Sequence, residues 1–255
     1  MYQARGEKMN QQKKALHEGL ANFPGRWLGG ISLIVAPILL VISALLRIRF
    51  NFFFPDQLAA YNTHPTLMLI SYSLFLIGTI LLFPAVLILV QLISNKKPRL
   101  GFWGGLLVIV GLFARAFHSG VDHFAFQIVR STDVDVATNL VGDFYGMFHV
   151  VNILNFSIFF GWIVLAIGAY ASKVFGWFRS LALGVMFTLA LGVLKGTNMT
   201  TIISLTGLCI ALLPLGVEVL INGSRPKLKT VLFYVVIIVL VLGSWLFMSE
   251  MERPN

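Results

Sequence analysis

Long apolar runs separated by short polar segments are the main pattern of this chain. A helix of about 20 apolar residues, rising 1.5 Å per residue, crosses a hydrocarbon core of about 30 Å. Runs of this kind lie at about 27–46, 66–93, 100–119, 147–171, 177–194, 200–220 and 231–247. The pattern therefore predicts an all-α integral membrane protein: a seven-transmembrane-helix bundle in a single polytopic membrane domain, 27–248.

Lysine and arginine residues are unevenly divided between alternate loops, and this predicts the orientation. The basic N-terminal segment 1–26 and the segments 94–99, 171–180 and 221–230 hold thirteen of them, whereas the other set of loops holds five. Cytoplasmic loops carry the excess of positive charge. The N-terminus is therefore predicted to be cytoplasmic, and the C-terminus, with its short tail 249–255, extracytoplasmic. The expected location is the plasma membrane, as in a small bacterial multi-pass protein.

Composition agrees with this class and excludes several others. The chain of 255 residues is 58% hydrophobic and 11% charged, with a mean hydropathy of +0.87, whereas charged residues make up about a quarter of a soluble domain. Membrane topology accounts for the net charge of +9, so nucleic acid is not an expected partner. The single Cys209 excludes an intrachain disulfide, a zinc–cysteine cluster and a CxxCH haem attachment.

The third apolar run ends in a polar stretch, residues 115–123, which is the strongest candidate for a site. Arg115, His118 and Asp122 stand at i, i+3 and i+7, within an arc of about 60° on one helix face, while His123 lies about 140° from His118. Arg115 is predicted about 22 Å above the inner boundary, inside the hydrocarbon, and Asp122 about 33 Å, at the interface. An arginine at that depth needs a partner, unless it simply snorkels to the interface.

The fourth run offers a matching polar stripe. Tyr145, His149 and Asn152 follow at i, i+4 and i+7 on a helix that descends from the outside, at a depth similar to that of Arg115. Consecutive helices are usually neighbours. We therefore expect an outward-facing pocket between spans 3 and 4, bounded by these three residues and by Arg115, His118 and Asp122. An arginine there favours binding or transport of a small or lipidic anionic ligand.

Other functions remain open on the same residues. His118, Asp122 and His149 could hold a zinc ion, and a membrane-embedded metal-dependent hydrolase is then an alternative. His118 and His149 could also ligate a haem, and a resistance or immunity protein against a membrane-active compound is a third class. The sequence contains no GxSxG, HExxH, Walker A or CDP-alcohol signature. It leaves the ligand, the cofactor and the oligomeric state undetermined.

The segments around the third run carry further local predictions. The third helix should continue to about Arg130, and Thr132 with Asp135 has capping-box spacing for a helix leading into the fourth span. Polar residues of the outer loops, including Arg47, are expected to be solvated. Lys195, at the end of the fifth run, is the best additional site candidate among them.

Overall fold

A computed structural model describes residues 25–146, 150–189 and 191–222, with the isolated positions 232, 236, 239 and 240. The predicted seventh span therefore lies largely outside the described residues, as does most of the basic N-terminal segment. The chain divides into two compact units, Met1–Ile221 and Asn222–Asn255, and the fold described here is that of the first.

The described part of the first unit is all-helical. Its eight α-helices are α1 (Arg26–Leu46), α2 (Phe54–Thr63), α3 (Pro65–Ser94), α4 (Pro98–Ser131), α5 (Val134–Gly146), α6 (Val150–Ala171), α7 (Trp177–Gly184) and α8 (Met199–Ile221). A short 3₁₀ helix, Val185–Thr188, continues α7. Within these residues, the helices α1, α3, α4 and α8 and the part of α6 from Ile153 are long and apolar enough to cross a membrane. The chain is therefore a multi-pass membrane protein, with five candidate spans among the predicted seven.

The predicted fifth span, 177–194, is not one helix, and this prediction is corrected. After α7 and the 3₁₀ turn, the described residues 189 and 191–198 have no regular secondary structure. Gly192 has φ +122° and Leu194 has φ +51°, conformations that no α-helix contains. Hydropathy alone could not reveal this break, because buried irregular backbone is as apolar in composition as a helix. We call residues 177–198 the broken crossing.

The long elements pack in a closed ring in the order α1, α3, α4, α6, α7 and α8, with α8 returning to α1. Apolar side chains such as Leu33, Leu89, Leu112, Trp162 and Leu208 fill the centre. Glycines let the helices approach closely: a Cβ on Gly111 of α4 would collide with Ile158 of α6. The broken crossing thus completes the ring between α6 and α8.

One end of the ring carries a cap, which we define as residues 47–64, 120–131 and 134–146. Helix α4 has 34 residues, about 51 Å at 1.5 Å each, so it projects beyond a 30 Å core and forms part of this cap. The cap has its own core, in which the ring of Tyr61 stacks on Phe126 at 4.3 Å between centroids. The predicted continuation of the third helix to about Arg130 is confirmed, since α4 ends at Ser131.

The start of α5 differs in detail from the predicted capping box. Asp133, not Thr132, caps the helix: its Oδ1 accepts a hydrogen bond of 2.8 Å from the backbone N–H of Val136. The Thr132 hydroxyl instead donates back to the carbonyl oxygen of Ile128 at 2.8 Å.

Candidate functional site

One buried face of α4 carries the polar residues that the sequence singled out. Arg115, His118 and Asp122 are 5%, 4% and 4% exposed, and Ser119, one residue after His118, is also buried. All four line one cavity at the cap end of the ring. The depth estimate predicted Asp122 at the membrane interface. In the structure its side chain is buried in protein, against the cap and the broken crossing. Nor does Arg115 reach solvent, so snorkelling does not account for it.

Arg47, the first residue after α1, contributes a second buried guanidinium group. It is 3% exposed, and its Cζ lies 4.4 Å from the ring centroid of Tyr72 and 5.1 Å from that of Phe75. The Cζ of Arg115 lies 5.6 Å from the same Phe75 ring. Two arginines from different helices thus converge on one aromatic ring, whose face favours a nearby cation.

The broken crossing forms the wall opposite α4. Leu189, Leu191, Gly192, Lys195 and Gly196 line the cavity, joined by Thr201 from the first turn of α8. The backbone N–H of Leu194 donates a hydrogen bond to Oδ1 of Asp122. Irregular backbone is tolerated at membrane depth where it is buried in protein or lines a polar cavity, and here it does both.

Hydrogen bonds tie the end of the broken crossing to α1 and the cap. The Thr197 hydroxyl donates to the carbonyl oxygen of Ala44 at 2.8 Å. The backbone N–H of Gly196 donates to the carbonyl oxygen of Phe52, also at 2.8 Å. From α3, the Tyr72 hydroxyl donates to Oε1 of the buried Gln57 at 2.9 Å. These bonds hold the irregular backbone over the cavity.

Lys195 lies at the rim of the cavity. Its side chain is half-buried, and its Nζ is 5.6 Å from the ring centroid of Phe52 and 5.7 Å from that of Phe53. The lysine adds positive charge near the cap surface, while the two arginines are deeper.

The cavity is small. The space open to the centre of a water molecule within it is about 30 Å³. Among the described residues, Asp122 is the only buried carboxylate, whereas Arg47 and Arg115 are both buried. The buried lining therefore holds two basic side chains against one acidic side chain.

His123 does not share this cavity, in agreement with its predicted angle from His118. One imidazole nitrogen, Nδ1, lies 2.7 Å from the carbonyl oxygen of Ser119, and Nε2 lies 3.1 Å from the hydroxyl of Ser73. A neutral ring satisfies both contacts by donating from Nδ1 and accepting at Nε2. His123 therefore serves to join α4 to α3.

The other half of the predicted pocket lies outside what the structure describes. This applies to all of His149 and to the side chains of Tyr145 and Asn152. The helices concerned, α4 and α6, are neighbours as predicted, and a Cβ on Gly161 of α6 would collide with Val108 of α4. The described wall facing Arg115, His118 and Asp122 comes instead from α1, α3, α8 and the broken crossing.

A metal centre has limited support in this lining. The described residues contain no group of three histidine, cysteine or acidic side chains that could hold a metal ion. His118 and Asp122 do share the cavity, but a cation between them would meet the like charges of Arg47 and Arg115. The proposed third zinc ligand, His149, which would also be the second haem ligand, is among the residues not described.

Sequence reasoning missed the contributions of α1 and α3. Arg47 was expected to be a solvated loop residue, and Tyr72 and Phe75 are indistinguishable in sequence from other aromatic residues of an apolar run. Lys195 is the one outer-loop residue that the sequence favours as a site candidate, because it ends an apolar run and lies between Gly192 and Gly196. The sequence feature that could have revealed Arg47 as a site residue is its position directly after a span. From there its long side chain can turn back into the bundle.

The fold and the cavity define a class: a multi-pass helical membrane protein with a buried, arginine-lined cavity at a broken crossing. Comparison of the chain with known protein families, curated proteins and solved structures finds no match.

Proposed function

We propose that this protein binds a small anion in the cavity beneath the cap, as a binding or transport protein of the plasma membrane. The observation that carries the proposal is the burial of the Arg47 guanidinium group. Its Nε and Nη1 atoms are buried and make no hydrogen bond within the described part of the chain. A buried polar atom without a partner costs about 1–3 kcal/mol, and more when it is charged. An anion in the cavity that Arg47 lines would lie beside this guanidinium group and offset the cost of burying its charge.

The electrostatics of the surrounding elements support the same ligand class. The buried lining has more positive than negative charge, and the half-buried Lys195 adds to it at the rim. Many transporters likewise bind substrates at discontinuous helices whose ends and unwound backbone meet the ligand.

The direction of access follows from the predicted topology. The positive-inside pattern places residues 47–64 and 120–146, which belong to the cap, on the extracytoplasmic side. Toward the other end of the ring, the centre is packed with Leu33, Leu89 and Leu165, all fully buried. An anion would therefore enter from the cap side, and release to the opposite side would require rearrangement of the ring.

Anion-dependent thermal stability of the purified protein tests this proposal. The full chain is kept in detergent with gluconate as the bulk anion, and chloride, bromide, nitrate, sulfate and phosphate are added in turn. A ligand at about ten times its Kd stabilises the folded state by about 1.4 kcal/mol, which raises the Tm by a few degrees. We expect at least one of these anions to raise the Tm of the wild-type protein in this way.

Arg47→Gln should abolish that rise, because it removes the charge that the anion neutralises while keeping a polar but shorter side chain. The matched control is Arg49→Ala, which removes an exposed arginine two residues away. The control should respond to the anion like the wild type. An Arg47→Gln variant that folds and is stabilised as strongly as the control would overturn the proposal, as would a wild type indifferent to all five anions.

A further inference from the structure

The carboxyl group of Asp122 lies where the cavity meets the broken crossing. We infer that Asp122 is the proton-binding group of the site: it takes up a proton when an anion binds, and its protonation loosens its hydrogen bond to Leu194. This inference rests on the proposed anion-binding function and goes beyond it by assigning a proton as the second ligand.

The position of this carboxyl group is the first argument. Its side chain is buried yet lines the cavity, whereas the other acidic side chains of the described residues are exposed: Asp56, Asp133, Asp135, Asp143 and Glu218. Ionisable side chains within membrane helices that face a polar cavity commonly act in proton relays. A proton from the solvent can reach Asp122 through the same cavity as the anion.

Electrostatic competition is the second argument. Arg47, Arg115 and Lys195 line the cavity together with Asp122, so a bound anion and the carboxylate share the same positive side chains. Two negative charges close together in a poorly hydrated space repel each other, and a neutral carboxyl group is then favoured. The proton comes from the solvent and goes to a carboxylate oxygen. The anion and the proton therefore bind together, and the total charge of the site does not change.

The other titratable groups around Asp122 come from four elements. Those that line the cavity are one tyrosine, three basic side chains and one histidine: Tyr72 of α3, Arg47 after α1, Arg115 and His118 of α4, and Lys195 of the broken crossing. Helix α8 contributes Thr201 to the lining, which does not titrate. Arginine, lysine and tyrosine side chains ordinarily titrate well above neutral pH. His118 is therefore the competing proton acceptor, and the experiment has to separate it from Asp122.

The backbone that Asp122 contacts is strained, and this links the proton to the broken crossing. Leu194 has φ +51°, in the left-handed region that residues other than glycine rarely adopt, and Gly192 has φ +122°. Such backbone persists only where the surrounding contacts hold it. A carboxylate accepts a hydrogen bond more strongly than a neutral carboxylic acid does. Protonation of Asp122 therefore weakens a contact that holds Leu194, and residues 191–196 at the cavity become freer to move.

Titration calorimetry of the purified full-length protein measures the coupling. Sodium chloride, bromide, nitrate, sulfate and phosphate are titrated from mildly acidic to mildly alkaline pH, with gluconate as the bulk anion and the known titration of phosphate subtracted. Repeating each titration in two buffers of different ionisation enthalpy gives the number of protons taken up. We expect the affinity to rise as the pH falls, by up to about tenfold per pH unit, with proton uptake.

Two variants separate the two proton acceptors. Asp122→Asn should bind the anion without proton uptake, because the asparagine side chain is neutral at every pH and still accepts a hydrogen bond. His118→Gln should keep both the proton uptake and the rise in affinity at low pH. Proton uptake that persists in a folded Asp122→Asn protein would overturn the assignment, and its loss in His118→Gln alone would assign the proton to the histidine instead.

Hydrogen exchange tests the link to the broken crossing without any added anion. Backbone amides of residues 191–196 should exchange several-fold faster in Asp122→Asn than in the wild type, measured relative to amides of α3 in the same sample. Lowering the pH should bring the wild type closer to the variant, because its carboxylate becomes protonated. Equal protection of these amides in both proteins at every pH would contradict the link between Asp122 and Leu194.

The possible results distinguish this inference from the proposed function. An anion that binds with the same affinity at every pH, and whose binding is lost in Arg47→Gln, would overturn the proton assignment and leave the anion site standing. If none of the salts binds the wild type at any pH, the proposed function fails, and the coupling of anion and proton fails with it.

Discussion

Buried charge at single residues is the feature that sets this bundle apart from a purely apolar one. A charged side chain in the middle of a membrane helix costs about 2.5–3.5 kcal/mol on insertion scales, so the burial of Arg115 in α4 must be offset by specific contacts. Phe75 provides one such contact to both guanidinium groups. Asp122 provides the one buried carboxylate of the described residues, and its position is fixed by the broken crossing rather than by another helix.

At this scale we predict that Asp122 also holds the broken crossing in place. Asp122→Ala removes the acceptor for the backbone N–H of Leu194 and leaves that donor buried, which should lower the free energy of unfolding by about 1–3 kcal/mol. Asp122→Asn keeps the acceptor and should lose much less. Chemical or thermal denaturation in the same detergent provides the comparison. Equal losses in the two variants would show that the charge, not the hydrogen bond to Leu194, is what stabilises the fold.

The sequence could reveal only part of this set of residues, for a physical reason. Arg115, His118 and Asp122 lie on one helix, where the 100° turn per residue fixes their common face. Arg47 and Phe75 belong to other helices, and their convergence depends on how α1, α3 and α4 pack, which no local pattern encodes. Polar residues within one element are therefore predictable as a group, whereas their partners across the bundle are not.

Among the elements, the broken crossing is where the prediction and the structure differ most. Residues 177–194 have the hydropathy of a span, but among the described residues of this segment only α7 and one 3₁₀ turn are helical. Two features of its C-terminal half favour irregular backbone: Gly192 adopts a positive φ, and a Cβ on Gly196 would collide with Phe52 and Asn51. Neither requirement is visible until the partners of those glycines are known.

Two glycines of α4 allow a matched test of how this ring is packed. Gly111→Ala should destabilise the protein by about 1–3 kcal/mol, because the new Cβ would collide with the backbone and side chain of Ile158 in α6. Gly120→Ala, in the same helix, has open space at its Cβ and should stabilise by about 0.5–1 kcal/mol through helix propensity. Thermal unfolding of both variants gives the answer. A neutral Gly111→Ala would mean that α4 and α6 are further apart than described.

At the scale of the whole ring, the connections between the long elements alternate between its two ends. The five long helices and the broken crossing alternate in direction through residue 222, so the cap segment 47–64 and residues 195–198 share one end. The loops at 95–97 and 172–176 lie at the other end. Exposed basic residues, including Lys96, Lys97 and Lys173, lie at that second end. The sequence prediction assigns that second end to the cytoplasm on the basis of these residues, and the orientation stays a prediction.

The last prediction concerns that orientation, because it decides from which side an anion reaches the cavity. Two exposed asparagines, Asn51 in the cap segment and Asn95 between α3 and α4, allow matched neutral substitutions in a Cys209→Ser background. A membrane-impermeant maleimide should label Asn51→Cys in intact cells, and Asn95→Cys only after permeabilisation. The reverse labelling would place the cap in the cytoplasm. Arg47 and Arg115 would then receive an anion from inside the cell, and the positive-inside argument would fail for this chain.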